Sequence, residues 1–185
     1  MGAVVQSAES ARFRDLYVRC YGSVLNFTRR RTDEQTALDV TAETFLIAWR
    51  RLDAVPVEDP LPWLYRTARL TLANEVRRGR RHEAFVRRAE TEARGRELPT
   101  ADHADAVAET ERVRLALATL STADAEILRL TSWEDLDTRQ VAAVLGCSVA
   151  AAKVRVFRAR RKLAAALDDD SAPFSPIHTP LEVSS

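Results

Sequence analysis

The side chains of this chain best suited to binding chemistry are the basic ones near its C-terminus. Residues 149–167 carry six lysines and arginines and no acidic residue. Both residue types bind phosphate, and Arg also binds guanine through paired hydrogen bonds. Just upstream, a short apolar segment, 140–145, is followed by Gly146 and the capping residue Ser148. A scaffold helix, a glycine turn and a basic second helix are typical of a helix-turn-helix that reads the major groove of DNA.

At about 100° per residue, the basic helix has a core side and an outward side. Its core side is predicted to hold Ala152, Val156, Ala159, Leu163 and Leu167. We expect the outward face to read bases through Ala150, Lys153, Val154, Phe157 and Arg158. Salt-dependent affinity for phosphates is expected from Arg155, Arg160 and Arg161. The plainer alternative is an amphipathic helix with a solvated basic face, although an outward phenylalanine suits such a face poorly.

Charge is segregated along the chain, although the net charge is only +1. Residues 77–88 contain six arginines and one acidic residue, whereas residues 97–111 contain five acidic residues and no Lys or Arg. With the basic C-terminal helix, this pattern indicates two anion-facing surfaces divided by an acidic spacer.

Several classes of function find no support in the sequence. Cys20 and Cys147 are far apart and form no CxxC pair, and no histidine stands near either at metal-ligand spacing. There is no nucleophile–base grouping and no Gly-rich phosphate loop. We therefore expect no metal, no cofactor and no enzymatic activity. No apolar run approaches 18 residues and no signal peptide is recognisable, so we expect a soluble, cytoplasmic protein without membrane insertion.

The periodicity of the chain is helical throughout. A first helix is predicted from about residue 11 to 30, with the apolar stripe Phe13, Tyr17, Cys20, Val24 and Phe27. The apolar stripe predicted for the second helix consists of Leu38, Ala42, Phe45, Trp49 and Leu52. A third, starting at Pro62, has the apolar side Leu61, Tyr65, Ala68, Leu72 and Val76. Three amphipathic helices predict a small bundle.

Two further faces of this bundle carry polar chemistry. Opposite the apolar side of the third helix lie Trp63, Arg66, Leu70, Asn74 and Arg77. An aromatic ring among arginines suits stacking on unpaired bases, unless Trp63 packs inward. On the second helix, a mixed-charge flank of Asp39, Glu43 and Arg50 suits a protein partner, or is plain solvated surface.

The pattern weakens between residues 79 and 108, which we interpret as a flexible linker. Helix start signals then follow, namely Ser121 with Asp124 and Asp137 with Gln140. The sequence predicts an all-α fold of two small helical domains, 10–78 and 109–167, the second containing the helix-turn-helix. Residues 168–185 are predicted to be a disordered tail.

Two groups of motifs resemble the extracytoplasmic-function (ECF) sigma factors, compact bacterial transcription initiation factors. DVTAETFLIAWRRLD (Asp39–Asp53) and WLYRTARLTLANEVRR (Trp63–Arg78) are similar to the family's region two. LSTADAEILRL, QVAAVLGCS and RARRKL, within residues 116–167, are similar to its region four. A helix-turn-helix alone also fits a stand-alone regulator of duplex DNA or, less well, an adaptor protein, but both halves in this order are far more specific.

The resemblance implies three contact surfaces and names their partners. Core RNA polymerase, through the clamp of its largest subunit, would be bound by Asp39, Glu43, Phe45, Trp49 and Arg50. The promoter −10 element, opened to single strands, would be bound by Asp53, Trp63, Arg66, Leu70, Asn74, Arg77 and Arg78. The duplex −35 element would be bound by Ser148, Ala150, Ala151, Lys153, Val154, Arg155, Phe157, Arg158, Arg160 and Arg161. Region four would also meet the flap of the second-largest subunit, and an anti-sigma factor is a further partner that many members have.

The chain departs from the family pattern at three places. Ala42 stands where the family usually has Gln, and Leu70 stands where an Asn commonly contacts the −10 region. Ala151 and Val154 replace a usual Thr and Ser. The changes at Ala151 and Val154 favour apolar contacts, for example with thymine methyl groups, over hydrogen-bonded readout. The preferred promoter is therefore expected to differ from those of better-known relatives.

Overall fold

The computed structural model describes residues 2–89 and 118–169, with side chains for residues 8–78 and 118–167. These ranges form helices joined by short turns, without a strand, which confirms the predicted all-α fold. The elements are α1 (Gly2–Arg29), α2 (Glu34–Arg50), a 3-10 turn (Leu52–Ala54), α3 (Leu61–Ala89), α4 (Thr122–Ser132), α5 (Thr138–Leu145) and α6 (Val149–Asp169).

Helices α1, α2 and α3 form the first bundle. The ring of Phe27 on α1 stacks on Tyr65 of α3, with ring centroids 4.6 Å apart and planes 12° from parallel. Leu64, Val24 and Val40 fill the space around this pair and are fully buried. Burial of such side chains contributes about 1.5–3 kcal/mol each, so this centre holds the three helices together.

The stripe predicted for α2 is wrong for three of its five residues. Leu38, Ala42 and Trp49 are exposed, and the buried face instead consists of Ala37, Val40, Thr41, Thr44, Phe45 and Ala48. Threonine can be buried here because its hydroxyl donates to the preceding helical turn, as Thr44 does to the Val40 carbonyl oxygen at 2.7 Å. Because hydropathy counts threonine as polar, the predicted stripe was rotated away from the true one.

Two predicted boundaries are also corrected. Helix α1 begins at Gly2, before the predicted start near residue 11. Helix α3 continues to Ala89, so residues 79–89 are helical rather than part of an extended linker. Four of these eleven residues are Arg and two are Ala, which are good helix formers, and the lack of an apolar stripe does not oppose a helix. The remainder of the predicted linker, residues 90–108, and the tail from residue 170 lie outside the described residues.

The second bundle contains the predicted helix-turn-helix. Asp137 and Gln140 form a reciprocal capping box at the start of α5. Gly146 ends α5 with φ of +66°, a left-handed conformation that glycine adopts without strain. Ser148 then accepts a hydrogen bond from the Ala151 amide at 3.2 Å and starts α6. The α5 and α6 axes bend by 103° at this turn, which projects the basic helix outward.

The two bundles pack against each other, which the sequence did not predict. Helix α3 lies against α5, and buried apolar side chains of both bundles form one continuous cluster. Polar bridges cross the same boundary, such as the 2.9 Å hydrogen bond from Gln140 Nε2 to Asp59 Oδ2. In this structure the two bundles are therefore closed on each other.

Candidate nucleic-acid interface

The outward face of α6 matches the sequence prediction closely. Ala152, Val156 and Ala159 are buried against α4 and α5, and Leu163 and Leu167 are half-buried beside them. This anchoring leaves the opposite side of α6 exposed, including 67% of Phe157. The exposed residues of the predicted set are Ser148, Ala150, Lys153, Val154, Arg155, Arg158, Arg160 and Arg161, and Ala151 is half-buried.

One of the six basic side chains of α6 is already engaged. Lys162 donates to the Asp124 carboxylate at the start of α4, and this contact, followed by the Ser121 hydroxyl, lowers the pKa of Asp124. The other five basic residues of α6 make no ion pair with any side chain that the structure describes. Their charges are therefore available for phosphates and base edges without first breaking an internal contact.

The outward face of α3 is less uniform. Leu70 is 49% exposed, Asn74 and Arg77 are exposed, and Trp63 is half-buried, so the sequence placed most of these side chains correctly. Arg77 Nη2 donates to Asn74 Oδ1 at 2.5 Å, and Arg78 pairs with Glu75 at 3.3 Å. The side-chain oxygen of Asn74 is therefore hydrogen-bonded within the helix, and its side-chain amide group remains for a ligand.

Arg66, at the centre of this α3 face, contacts the second bundle. Its Nη1 donates to the Ala143 carbonyl oxygen of α5 at 3.2 Å. A Cβ atom on Gly146 would lie only 2.5 Å from the same nitrogen. Glycine is thus favoured at the turn by its positive φ, whereas the Arg66 guanidinium, at the end of a flexible side chain, can shift away from an added Cβ atom. In this structure the Arg66 side chain is exposed to solvent and also makes one hydrogen bond to the helix-turn-helix.

The 3-10 turn places Asp53 at the surface of the first bundle. Its side chain is fully solvent-exposed and lies 4.0 Å from Arg12 Nη1, a contact that contributes little in water. Arg12 is held by a second bond, from its Nη2 to the Val55 carbonyl oxygen at 2.8 Å. Asp53 is therefore free to meet a ligand at the edge of the α3 face.

The exposed side of α2 carries mixed charge and large apolar groups. Asp39, Glu43 and Arg50 are exposed there beside Trp49, which is 41% exposed. The sequence missed Leu46, which is equally exposed on this side because the buried stripe was misplaced. Apolar groups rimmed by charges are typical of a protein-binding surface rather than a DNA-binding one.

Phe45 does not belong to that exposed surface, which corrects its predicted role as a direct contact. It is 3% exposed, and its ring packs against Phe13, Tyr17 and Tyr21 with centroid distances between 4.9 and 6.5 Å. Edge-to-face packing of this kind stabilises a cluster by about 0.5–1.5 kcal/mol per pair beyond burial. Phe45 therefore supports the α2 surface from below.

A cluster of four charged residues lies between the two bundles and was missed by the sequence analysis. Arg30 and Arg31 follow the end of α1, Glu126 lies on α4, and Glu134 follows the end of α4. Arg31 Nε lies 3.0 Å from Glu126 Oε2, and Arg31 Nη1 lies 3.1 Å from Glu134 Oε1. Arg30 also pairs with Glu134. Charged residues at helix ends usually face solvent, so nothing in their spacing indicated this pairing.

The charged cluster is largely withdrawn from water. The Glu134 side chain is 1% exposed and that of Arg31 is 7% exposed, with the guanidinium 3.6 Å above the centre of the Phe27 ring. Nearby, burial and then the charge of Glu134 raise the pKa of Tyr65 to about 12. For Arg129, burial has the opposite effect and lowers the pKa, because desolvation disfavours the charged form, which for arginine is the protonated one.

Other kinds of site are absent from the described residues. In residues 2–89 and 118–169, no group of three or more His, Cys, Asp or Glu side chains could hold a metal ion. Cys20 is buried, which raises the pKa of its thiol, and Cys147 is half-buried in the helix-turn-helix turn, so the two form no disulfide. Over the same part of the chain, no single helix has the length and apolar character needed to cross a membrane.

Both bundles match family models of one kind of protein. Residues 16–82 match the model described as Sigma-70 region 2, and residues 110–163 match that described as Sigma-70, region 4. The chain is 36% identical over 148 residues to RNA polymerase sigma factor CnrH of Cupriavidus metallidurans, covering 72% of this chain and 74% of that protein. It is 33% identical over 152 residues to ECF RNA polymerase sigma factor SigC of Mycobacterium tuberculosis, covering 80% and 78%.

Solved structures show the same fold. CnrH in complex with the cytosolic domain of CnrY matches with a TM-score of 0.57 at 29% identity, over 85% of this chain and 88% of CnrH. The sigma factor RpoE in complex with the anti-sigma factor NepR from Bartonella quintana matches with a TM-score of 0.61 at 22% identity, over 85% and 98%.

Proposed function

The chain belongs to the ECF sigma factors of bacterial RNA polymerase, and we propose how its surfaces share the work of promoter recognition. As a sigma factor it binds core RNA polymerase and directs promoter-specific transcription initiation. The match to regions two and four, in that order, argues against a stand-alone helix-turn-helix regulator. We assign the first bundle to polymerase binding and −10 opening, and the second to the −35 element.

The outward face of α6 reads the −35 element as duplex DNA. This assignment is supported by one observation above the others, namely that the exposed Val154 and Phe157 are flanked by five basic residues without an ion pair among the described side chains. Arg158 is suited to a guanine edge, and the two apolar side chains are suited to thymine methyl groups. Arg155, Arg160 and Arg161 hold phosphates and give the binding its dependence on salt.

The outward face of α3 captures the −10 element after its strands separate. Unpairing and unstacking a base costs a few kcal/mol, which contacts to the open strand must offset. Trp63 provides a stacking surface, Leu70 an apolar contact, and Arg66 and Arg77 provide charge for the backbone. Asp53 and Arg78 extend the same surface at its two ends.

Core polymerase docks on the exposed side of α2. The docking surface is formed by Asp39, Glu43, Trp49 and Arg50, with Leu46 added from the structure. Trp49 is the expected anchor, because large aromatic side chains at the centre of an interface contribute most of its affinity. Phe45 supports this surface without touching the partner.

Three further properties complete the proposal. The protein acts in the cytoplasm, without catalytic activity or a cofactor of its own. Region four meets the polymerase flap while α6 lies on DNA. An anti-sigma factor is a candidate regulator, since the related CnrH has been solved in complex with the cytosolic domain of CnrY.

In vitro transcription tests the proposed function. The full chain is combined with core polymerase on a pool of upstream regions, and start sites are mapped beside reactions with core alone and with a different sigma factor. We expect starts that depend on this chain and share a −35 and a −10 sequence, with unpaired thymines near −10 that react with permanganate. A set of starts identical to that of core alone would disprove the proposal.

A further inference from the structure

A loop formed by residues 55–60 joins the 3-10 turn after α2 to the start of α3. It connects two groups of the proposed −10 surface, because Asp53 lies in the turn before the loop and Trp63 lies in the first turn of α3 after it. The path of the loop therefore sets how Asp53 and Trp63 are placed relative to each other. Whatever fixes the loop also fixes how these two side chains face an incoming strand.

The middle of the loop makes few contacts of its own. Residues 56–59 are exposed and take part in no backbone hydrogen bond within the part of the chain that the structure describes. Pro56 and Pro60 have no amide hydrogen to donate, which removes two of the bonds that a loop of this length could form. One side-chain bond reaches the segment from the second bundle, from Gln140 to Asp59. Within the first bundle, the loop is therefore positioned by its two ends.

The first end of the loop is held by Arg12 of α1. Arg12 Nη2 donates to the Val55 carbonyl oxygen at 2.8 Å, although the two residues are 43 positions apart. The Val55 side chain is only 3% exposed, so both its carbonyl group and its side chain are fixed. At the other end, Pro60 is buried and accepts a hydrogen bond from the Leu64 amide at 3.0 Å as α3 begins. Of the two ends, the first thus depends on a single charged side chain from another helix.

Arg12 is better placed to hold the loop than to bind DNA itself. Its side chain is half-buried, one Nη donates to Val55, and the other lies 4.0 Å from Asp53 Oδ1. Two of the three guanidinium nitrogens therefore face groups of this chain. The pair with Asp53 contributes little in water, so the bond to the Val55 carbonyl oxygen is the stronger contact.

We propose that Arg12 is a positioning residue for −10 capture, which holds the loop so that Asp53 and Trp63 face the opened strand together. The proposal rests on the sigma-factor role described above. Arg12 acts through the loop and does not touch DNA. A loop that is already in place loses less conformational freedom when the strand binds, so capture of the strand is favoured. Binding to the −35 duplex and docking of polymerase use α6 and α2, and they do not depend on this contact.

Three variants of the full chain test this role. Arg12→Ala removes the contact, whereas Arg12→Lys keeps a charged donor on a long side chain and should restore it in part. Arg19→Ala is the matched control, because Arg19 lies two turns along on the same face of α1 and forms an exposed pair with Asp15. Circular dichroism checks that each variant folds. If Arg12→Ala does not fold, Arg12→Gln, whose side chain is shorter and uncharged, takes its place.

The hold on the loop is measured without polymerase or DNA. A spin label is placed at Val57→Cys, which is 65% exposed in the loop, in a Cys20→Ala/Cys147→Ser background. We expect restricted label motion in the parent and in Arg19→Ala, and faster motion in Arg12→Ala. Arg12→Lys should lie between them.

Capture of the strand is measured with core polymerase, by permanganate reactivity of the opened promoter. Arg12→Ala should reduce opening by about tenfold or more, because a hydrogen bond from a charged donor contributes at least about that factor. Arg12→Lys should recover part of the loss, and Arg19→Ala should match the parent. Affinities for core polymerase and for a −35 duplex should stay within about twofold of the parent in all three, as for surface substitutions away from those interfaces.

Salt dependence separates positioning from a direct contact with phosphate. The polymerase complex of each variant is titrated with a −10 single strand at several salt concentrations. We expect Arg12→Ala to lower the affinity without changing the slope of log affinity against log salt. Loss of a phosphate contact would instead reduce that slope by about 0.7.

The outcomes separate the role of Arg12 from the function of the protein. Label motion in Arg12→Ala that equals the parent's, or promoter opening that equals that of Arg19→Ala, overturns the positioning role even if in vitro transcription succeeds. A reduced salt slope also overturns it, because Arg12 would then contact DNA directly. Equal losses of opening, polymerase binding and −35 binding would show a general structural role and overturn it too. If the parent directs no initiation, the sigma-factor role fails, whatever the label motion shows.

Discussion

The two helices assigned to DNA contact differ in how ready they are for it. Helix α6 presents an exposed phenylalanine and five basic residues that form no ion pair within the part of the chain that the structure describes, so this face needs no internal contact to break. Helix α3 has its central arginine against α5, its Asn74 bonded to Arg77, and its Trp63 half-buried. A duplex can be read by a rigid, preformed surface, whereas under the proposed function an opened strand is captured after polymerase has docked. The structure thus presents an exposed face on α6, whereas the exposed α3 face has one of its arginines hydrogen-bonded to the second bundle.

The largest expected effect is a loss of stability from a substitution on the buried side of α3, which we compare with a substitution on its exposed side. Leu64 is fully buried, so Leu64→Ala should lower the free energy of unfolding by about 2–5 kcal/mol, through lost burial and the cavity left behind. Leu70 is exposed, so Leu70→Ala should change that free energy by less than about 0.5 kcal/mol while reducing promoter opening. Urea denaturation and permanganate footprinting separate the two effects. Equal destabilisation by both variants would mean that Leu70 is a core residue.

On α6, Arg158→Ala should abolish most −35-dependent initiation without weakening binding to core polymerase. Loss of a paired contact to guanine costs about 1–3 kcal/mol, or roughly a five- to 150-fold loss of initiation. Arg19→Ala, which removes an exposed arginine on α1 paired only with Asp15, is the control. The measurements are run-off transcription and a polymerase-binding titration. Parallel loss of both activities would contradict the role assigned to Arg158.

The contact between α3 and the helix-turn-helix is tested at Gly146. Gly146→Ala forces a side chain into the left-handed region and against Arg66, so we expect about 1–2 kcal/mol of destabilisation. Gly22 lies within α1 with open space around it, and Gly22→Ala should instead stabilise by about 0.5–1 kcal/mol. Combining Gly146→Ala with Arg66→Ala should recover part of the loss. Additive effects in the double variant would indicate that the bundles are apart in solution.

The smallest expected effect concerns the salt dependence of DNA binding, and it compares Lys162, which is paired with Asp124, with Arg155 on the same helix. Arg155→Ala should reduce the slope of log affinity against log salt by about one unit, as expected for a lost phosphate contact. Lys162→Ala should reduce it by clearly less, because Lys162 is held by Asp124. Fluorescence anisotropy with a −35 duplex at several salt concentrations provides the slopes. Equal reductions would show that the Asp124 contact gives way on binding.

Local signals explain why the second bundle was well predicted. The capping residues Ser148 and Asp137 and the glycine turn are each determined by the backbone within a few residues. The two faces of α6 follow from helical spacing, because its core side contains only Ala, Val and Leu. Where hydropathy and hydrogen bonding agree in this way, the sequence alone locates the surface.

Longer-range packing explains the failures. The buried face of α2 includes Thr41 and Thr44, whose hydroxyls are satisfied within the helix, so hydropathy alone pointed to the wrong side. Phe45 was placed correctly on the apolar stripe, and its expected contact with polymerase came only from the family resemblance. The pairs between Arg31 and Glu126 or Glu134 join residues about a hundred positions apart, and no spacing rule connects such residues. The closure of the bundles, and with it the hydrogen bond from Arg66 to Ala143, depends on contacts of this kind.

The difference between the two DNA-facing helices is tested most directly by measuring which form of promoter DNA the free chain binds. A fluorescent −35 duplex and a fluorescent −10 single strand are titrated with the protein, with and without core polymerase. We predict that the free chain binds the duplex in a salt-dependent manner but not the single strand, and that polymerase adds binding of the single strand. Tight binding of the single strand by the free chain would contradict this difference, because the contact of Arg66 with α5 would then not obstruct the −10 surface.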